Sequence, residues 1–253
     1  MIPMNDDRLN DFHIILVEPA YSLNIGATAR AMQNLGFRHL HLVAPTQYDP
    51  ERANATALSA RPILETMQFH ATFTEAIAGM EEVVGLSLRR GRNPAQFGTL
   101  TDWTTQLPQV PRRKTGLVFG PEDCGLRQEH LDLCRWIIRI PSAVEYDSFN
   151  LAQSALLTLY EITKALPESA PLTAPGVEEA RESPTWNDFF QLDRLLDGVM
   201  SESGFVRSGS PAPTPDIIKS LLRRASPNRQ ELGILLGLFG RIHTVLRRWK
   251  PDA

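Results

Sequence analysis

The chain has 253 residues, of which 42% are hydrophobic and 22% are charged, and its formal net charge is −3. A chain of this length can bury a substantial core, and the composition is ordinary for a globular protein. It contains no run of about 18 apolar residues, which excludes a membrane-spanning helix. Because the first ten residues are polar and acidic, they argue against a signal peptide. We therefore expect a cytoplasmic protein with no membrane partner.

Several familiar chemical signatures are missing from the sequence. The two cysteines, Cys124 and Cys134, are too few for a disulfide framework and do not form a C-x-x-C pair, so we expect buried thiols and no metal site. The phosphate-binding patterns G-x-x-x-x-G-K-[ST] and G-x-G-x-x-G are absent, and so are H-E-x-x-H and G-x-S-x-G. A different kind of site must be argued from the remaining residues.

The predicted elements begin with a buried strand at residues 12–17, whose apolar run FHIILV is typical of a strand covered on both faces. A helix follows, with Asn24 as its N-cap, an apolar face that includes Ile25, and Gly36 as its stop. Residues 40–43 form the next strand. A strand, a helix and a strand within about thirty residues predict a parallel βαβ unit.

Strands and helices continue to alternate up to residue 165. Further strands are predicted at 82–86, 115–119 and 136–140, and helices at 74–80, near 102, at 127–133 and at 149–165, the last with Ser148 near its start. Five or six strands in this order predict an α/β domain over residues 1–166, with a mostly parallel sheet flanked by helices.

The remainder of the chain has a different character. Residues 167–184 are rich in Pro, Ala, Ser and Glu and are predicted to be a linker. Helical periodicity without any strand signal then predicts a small all-α domain over residues 185–253. Within it, residues 216–250 hold eight basic and two acidic residues, a net charge of +6 that leaves −9 for the rest. This asymmetry suits a polyanion, although a solvated helix face explains it equally well.

Three polar segments follow predicted strands, at the edge where open α/β sheets bind ligands. They are residues 24–30, 119–126 and 140–151. Asn24 alone is explained as a helix cap, whereas Arg30 lies opposite the apolar stripe and can bind a phosphate. Glu122 lies between two tight turns and can pair with Arg30. The third segment enters the long helix with Ser148 and Asn150, where backbone amides can bind a small polar ligand.

These segments resemble the motifs of the SPOUT superfamily of RNA methyltransferases, in its SpoU branch. Asn24-x-Gly26-x-x-x-Arg30 resembles the first motif, Gly120-Pro-Glu122-x-x-Gly125-Leu126 the second, and Ser148-x-Asn150-Leu151 with Tyr160-Glu161 the third. The resemblance spans nearly the whole chain. It is closest to the subgroup with a helical C-terminal extension that methylates the ribose 2′-oxygen of nucleotide 32 in the anticodon loop of tRNA.

The resemblance implies a fold, a cofactor and partners. It implies a trefoil knot near the C-terminal end of the sheet, a rare exception to unknotted topology, and a homodimer whose active sites lie at the subunit interface. It also implies that S-adenosylmethionine binds in the knot. By motif position, its contacts would be Leu86, Ser87, Leu88, Gly120, Ile140, Asp147, Ser148, Phe149, Asn150 and Leu151.

The sequence departs from the family pattern after the third predicted strand. Close relatives have Thr-Ser-Ala-Arg-x-Arg where this chain has Leu86-Ser-Leu-Arg89-Arg90-Gly91, and Phe149 replaces the usual leucine of the third motif. Arg90 or Arg92 can take the place of the second arginine. We expect the RNA backbone to be bound by Arg89, Arg90 and Arg92 and by the basic helices, represented by Arg223 and Arg224.

A ribose hydroxyl is a poor nucleophile, so the transfer needs proton removal and in-line placement. Because a guanidinium is always protonated, we expect Arg30 to clamp the target phosphate rather than act as a base. Asn24 and Glu122 would orient Arg30, and Ser148 and Asn150 would shape the cofactor and ribose sides of the site.

Three alternatives remain open at this point. The same transfer could act on ribosomal RNA or on another tRNA position, since only the appendage favours the anticodon loop. The chain could be a non-catalytic RNA-binding protein with the same fold, although five site residues are retained. It could also be an unrelated α/β ligand-binding protein. No motif indicates whether the target base is cytidine, uridine or both.

Overall fold

The computed structural model describes residues 7–90, 96–143, 148–166, 183–206 and 214–248. The chain divides into two compact units, residues 1–177 and 178–253. All but the last two residues of the predicted linker lie outside the described ranges.

The first unit is built on a seven-stranded sheet in the order β3-β2-β1-β6-β4-β7-β5, in which every neighbouring pair is parallel. The strands are Phe12–Val17 (β1), His39–Val43 (β2), Gln68–His70 (β3), Glu82–Leu86 (β4), Gln96–Thr99 (β5), Thr115–Phe119 (β6) and Trp136–Arg139 (β7). The prediction of a parallel α/β sheet is confirmed, with β3 and β5 added at its two edges. The knot expected from the resemblance stays a prediction.

Among the described residues, seven helices belong to this unit and three to the second. They are Ser22–Leu35 (α1), Pro50–Ala57 (α2), Arg61–Thr66 (α3), Phe73–Ile77 (α4), Leu100–Thr104 (α5), Gln128–Leu131 (α6), Leu151–Ala165 (α7), Trp186–Glu202 (α8), Thr214–Arg224 (α9) and Arg229–Arg248 (α10). Short 3₁₀ turns occur at Asp7–Asp11, Leu58–Ala60 and Leu107–Gln109. The last three helices match the all-α prediction, whereas α2 and α3 were not predicted.

Helix α1 begins three residues earlier than predicted. Its N-cap is Tyr21, which makes no side-chain cap bond, so the prediction that Asn24 caps the helix is wrong. Asn24 lies in the first turn, and its side chain is free to bond elsewhere. The predicted stop is confirmed, because Gly36 has φ 85° and its N–H donates to carbonyls of the last turn. A left-handed C-cap of this kind favours glycine.

The burial of the two central strands explains why their sequences are mostly apolar. Both β1 and β6 are buried along their whole length, with α1 and α7 packed on one face. The strand register aligns Leu16 with Phe119, Phe119 with Leu86, and Leu86 with Ile138. The carboxyl ends of β1, β6, β4 and β7 therefore lie level, and the loops that leave them meet at one edge.

The opposite face of the sheet carries a row of histidines across β1, β2 and β3. The Nδ1 of His13 lies 2.8 Å from the Nε2 of His41, and the Nδ1 of His41 lies 2.9 Å from the Nε2 of His70. Burial, together with nearby His39 and Lys114, lowers the pKa of His13 to about 3 and that of His41 to about 4. These rings are therefore neutral in the folded protein at neutral pH.

In the part of the second unit that the structure describes, three helices share a small core of their own. Leu192, Leu196 and Met200 of α8 pack against Leu232 of α10. In neither unit do the described residues include a helix long and apolar enough to cross a membrane.

Candidate functional site

A cavity of about 280 Å³ opens at the carboxyl ends of β4, β6 and β7. Eight of the ten residues predicted to contact a cofactor line it: Leu86, Ser87, Leu88, Gly120, Ile140, Ser148, Phe149 and Leu151. Asn150 lies beside the cavity rather than in its wall, and Asp147 lies outside the described residues. The structure therefore brings residues from three loops, far apart in the sequence, around one space.

The loop after β6 forms one wall of this cavity through a tight backbone turn. A Cβ on Gly120 would lie 2.3 Å from the backbone nitrogen of Leu126, so no larger residue fits there. Gly125 has φ +64° and donates its N–H to the carbonyl of Pro121 at 2.8 Å. Both glycines of the second motif are therefore required by the turn itself.

A chain of polar contacts joins three of the loops beside the cavity. The Glu122 carboxylate accepts hydrogen bonds from the Nδ2 of Asn24, at 2.7 Å, and from the backbone N–H of Ala20, at 2.9 Å. The Oδ1 of Asn24 in turn accepts from the Nδ2 of Asn150 at 3.1 Å. We call Asn24, Glu122 and Asn150 the amide–carboxylate row. One residue from each sequence motif meets in it.

The start of α7 differs from the prediction. Asn150 is the N-cap, and its Oδ1 accepts from the N–H of Ala152 at 2.9 Å. Ser148 precedes the helix and lines the cavity instead. Asn150 can do both jobs because its amide has separate ends: the oxygen caps the helix while the nitrogen donates to Asn24.

The predicted pairing of Arg30 with Glu122 is not found in the structure. Arg30 is exposed and makes no hydrogen bond or ion pair with any described residue. Six residues separate it from Asn24, which corresponds to about 9 Å along the helix axis and roughly 240° of rotation. Asn24 therefore faces the Glu122 loop, whereas Arg30 lies on the outer surface of α1.

Two arginines near the cavity make contacts that were not predicted from the sequence. Arg127, which precedes α6, forms a two-pronged ion pair with Glu18, which follows β1. Arg89, predicted to bind RNA, donates from Nη2 to the carbonyl of Cys124 at 2.6 Å. Cys124 lines the cavity and is only half-buried, so the expectation that both thiols are buried holds for Cys134 alone. Since these contacts span long sequence distances, no local pattern signals them.

The remaining predicted RNA contacts differ from one another. Arg90 is exposed and its guanidinium lies over the ring of Phe97, 4.7 Å from the centroid, while Arg92 lies outside the described residues. In the second unit, Arg223 is ion-paired with Asp193 and lies over the ring of Trp186 at 5.2 Å. Its side chain is only 18% exposed. The prediction that Arg223 binds RNA stays a prediction, and the structure shows this side chain engaged within the helical unit.

Arg224, the neighbour of Arg223, is exposed and makes no side-chain hydrogen bond or ion pair within the described ranges. It is available to an external anion. The described residues also contain no cluster of three or more His, Cys, Asp or Glu side chains that could hold a metal ion.

Comparison with known proteins identifies close relatives. The profile of the SpoU rRNA Methylase family matches residues 11–160. The tRNA (cytidine/uridine-2′-O-)-methyltransferase TrmJ of Yersinia pestis (strain Pestoides F) is 33% identical over 233 residues, covering 91% of this chain and 90% of that protein. The protein of the same name from Sodalis glossinidius is 32% identical over 238 residues, covering 93% of each. The crystal structure of TrmJ from Z. mobilis ZM4 matches with a TM-score of 0.75 at 27% identity, covering 91% of this chain and 98% of that one.

Proposed function

The chain belongs to the SpoU rRNA methylase family, and from this membership we propose that it methylates the 2′-hydroxyl of a tRNA ribose with S-adenosylmethionine. The observation that carries the proposal is the amide–carboxylate row beside the cavity, in which Asn24, Glu122 and Asn150 are joined by hydrogen bonds. Its supports are the TrmJ relatives, whose names specify tRNA and cytidine or uridine 2′-O-methylation.

The lining of the cavity suits S-adenosylmethionine. The volume of about 280 Å³ lies just below the range of about 300 to 1,000 Å³ for small-ligand pockets. Leu86, Ile140 and Leu151 offer apolar contacts, and the tight turn at Gly120 and Gly125 presents backbone rather than side chains. Ser87 and Ser148 add hydroxyls. When bound, the cofactor supplies an electrophilic methyl group attached to a sulfonium.

The residues of the chain would act on the acceptor by placing it. Arg30 carries a permanent charge that can hold a phosphate of the target nucleotide, and it cannot accept the hydroxyl proton. The proton would therefore leave to the phosphate or to a water molecule. The amide–carboxylate row fixes the loops on either side of the acceptor and leaves Arg30 free. In this proposal Asn24 and Glu122 hold the loops of the site in place, and they do not orient Arg30 directly.

We further propose that the active form is a homodimer paired through the outer surface of α1 and α7. Leu23 of α1 and Leu156 and Tyr160 of α7 are large apolar residues that the single chain leaves exposed, and Arg30 lies on the same surface of α1. Exposed apolar groups of this kind favour a protein interface. Sedimentation velocity at micromolar concentration tests the pairing, and a monomer would contradict it.

The target is proposed to be nucleotide 32 of the anticodon loop, with ribosomal RNA as the second candidate because the family description names rRNA. The test is to incubate the protein with labelled S-adenosylmethionine and, separately, total tRNA and ribosomal RNA. The methylated nucleotide is then mapped by its resistance to alkaline cleavage. Label at tRNA position 32 supports the proposal. Label at another tRNA position corrects the nucleotide, label only in ribosomal RNA corrects the substrate, and no transfer to either RNA contradicts the activity.

A further inference from the structure

A two-pronged ion pair links the loop after β1 to the loop after β6, next to the cavity but outside all three motifs. Arg127 donates from Nη1 to Oε1 of Glu18 at 2.6 Å and from Nη2 to Oε2 at 2.5 Å, across 109 positions of sequence. The contact lowers the pKa of Glu18 and raises that of Arg127. The side chains are 29% and 46% exposed, so the pair adds little to global stability. Its two-pronged geometry instead fixes orientation.

The backbone at Glu18 is shaped to present this carboxylate. Glu18 has φ 47°, a conformation that is uncommon outside glycine, asparagine and aspartate. Its N–H donates to the carbonyl of Val43 at 2.8 Å, which attaches the turn to the end of β2. The side chain of a residue held this way departs from the strand direction and reaches Arg127. Such strain persists only where surrounding contacts maintain it.

The pair completes a set of attachments around the cavity-lining segment 120–125. In the middle of that segment, Glu122 is bound to the loop after β1 through Ala20 and Asn24. The carbonyl of Cys124 is held by Arg89 from the loop after β4. Arg127 attaches the downstream end of the segment to Glu18. Residues 18–24 line no part of the cavity themselves, so the loop after β1 supports this wall from behind.

We propose that Glu18 and Arg127 form a positioning pair that holds segment 120–125 in its cofactor-binding conformation. The inference rests on the proposed use of S-adenosylmethionine in this cavity. Without the pair, the segment is still attached at Glu122 and at Cys124, but its downstream end gains freedom. Binding of the cofactor must then order that end, which weakens affinity. Because the amide–carboxylate row remains, turnover by the saturated enzyme changes less than affinity does.

A second ion pair in the same unit provides a matched control. Arg112 donates from Nε to Asp11 at 2.6 Å and from Nη2 at 3.0 Å, across 101 positions. Its side chains are 41% and 26% exposed, close to the values for Arg127 and Glu18. Asp11 precedes β1 and Arg112 precedes β6, so this pair lies at the amino edge of the sheet, away from the cavity. A general effect of losing a surface ion pair should appear equally in both.

The test measures cofactor affinity by calorimetry with S-adenosylmethionine and S-adenosylhomocysteine for the full-length protein. Arg127→Gln and Glu18→Gln should each raise Kd about tenfold, and the double variant should resemble either single one, because residues that act as a pair are not additive. Arg127→Lys keeps the positive charge but cannot donate two parallel hydrogen bonds to Glu18, so its Kd should lie between those of the parent and Arg127→Gln. Arg112→Gln should leave Kd unchanged. With saturating cofactor, the kcat of Arg127→Gln should stay within about threefold of the parent value.

A second measurement needs no cofactor. Hydrogen exchange of the free protein should be faster at the amides of residues 120–126 in Arg127→Gln and unchanged there in Arg112→Gln. Unchanged Kd and exchange in Arg127→Gln, or equal effects of the two arginine variants, would overturn the proposal. If the parent protein fails to bind S-adenosylmethionine, the proposed function is wrong, whereas the exchange experiment still tests whether the pair holds the segment.

Discussion

The cavity edge of the sheet and the basic helical unit both contain paired and free arginines, and the pairing has a different purpose in each. At the cavity edge, Arg127 joins loops that are far apart in sequence beside a ligand-sized space. In the helical unit, Arg223 joins α9 to α8. Each region also has arginines without a described partner, and two of these were predicted to act on RNA: Arg30 in the first and Arg224 in the second. The free arginines, not the paired ones, are the candidates for RNA.

The comparison changes how the charge of the helical unit is interpreted. Residues 216–250 have a net charge of +6. Two of their basic residues, Lys219 and Arg223, are ion-paired with Asp197 and Asp193 of α8, which lie outside that segment. Including these two acidic partners lowers the excess to +4. The surface available to a phosphate backbone is therefore smaller than the sequence count suggests.

Replacing Arg30, the arginine of α1 that has no described partner, should have the largest effect on turnover. We expect Arg30→Ala to lower kcat by at least about a hundredfold, because it removes the group that places the acceptor, as removal of one positioning donor does in other enzymes. Cofactor affinity measured by calorimetry should stay close to the parent value, since Arg30 does not line the cavity. Arg52→Ala on α2 is the control for loss of an exposed arginine. Near-normal turnover in Arg30→Ala would remove Arg30 from the mechanism.

A fall in pH should lower the stability of the first unit through the histidine row on β1, β2 and β3. The pKa values of about 3 for His13 and about 4 for His41 lie below the ordinary 6.5, so the unfolded chain binds protons that the folded chain refuses. Above about pH 6.5 the histidines are neutral in both states and cost the fold nothing. The free energy of unfolding then falls steadily as the pH drops toward 4. Urea unfolding should give a free energy about 1 to 3 kcal/mol lower at pH 5.5 than at pH 7.5.

The variant that tests the histidine row is His41→Gln, which should show a shallower dependence on pH even if it is less stable throughout. His243→Gln changes a histidine of the helical unit, outside the row, and serves as the control. Equal slopes in all three proteins would show that other groups dominate the pH dependence.

The sequence was most informative where one short segment decides the structure. Strands β1, β4 and β6 were predicted with correct bounds because a short, mostly apolar run specifies a buried strand. The edge strands Gln68–His70 and Gln96–Thr99 were missed because they are short and polar. Helix α2 was missed for the same reason, since only two of its alanines are buried.

The site was predicted less completely because its contacts join distant segments. The resemblance placed Asn24, Glu122 and Asn150 in one site, and the structure joins them by hydrogen bonds. The predicted pairing of Glu122 with Arg30 is not found, because the geometry of α1 turns Arg30 away. The pair Glu18–Arg127 depends on the left-handed backbone of Glu18, a conformation that the residue type alone does not predict. Periodicity specifies faces and ends of elements; it does not specify which side chains meet between loops.

Substitution of the neighbouring residues Arg223 and Arg224 should separate RNA binding from the stability of the helical unit. The expected change in tRNA affinity is the smallest of the predicted effects. Arg224→Gln should weaken tRNA binding by a few-fold and lower the slope of log K against log salt by about one, as expected for one lost phosphate contact. Arg223→Gln removes a partly buried ion pair and a stacking contact with Trp186, and should destabilise the helical unit by about 2 kcal/mol. At low temperature, where the unit stays folded, its salt slope should equal that of the parent. If Arg223→Gln lowers the salt slope while circular dichroism shows a folded unit, the distinction between paired and free arginines fails. The basic helices would then bind RNA through their total charge.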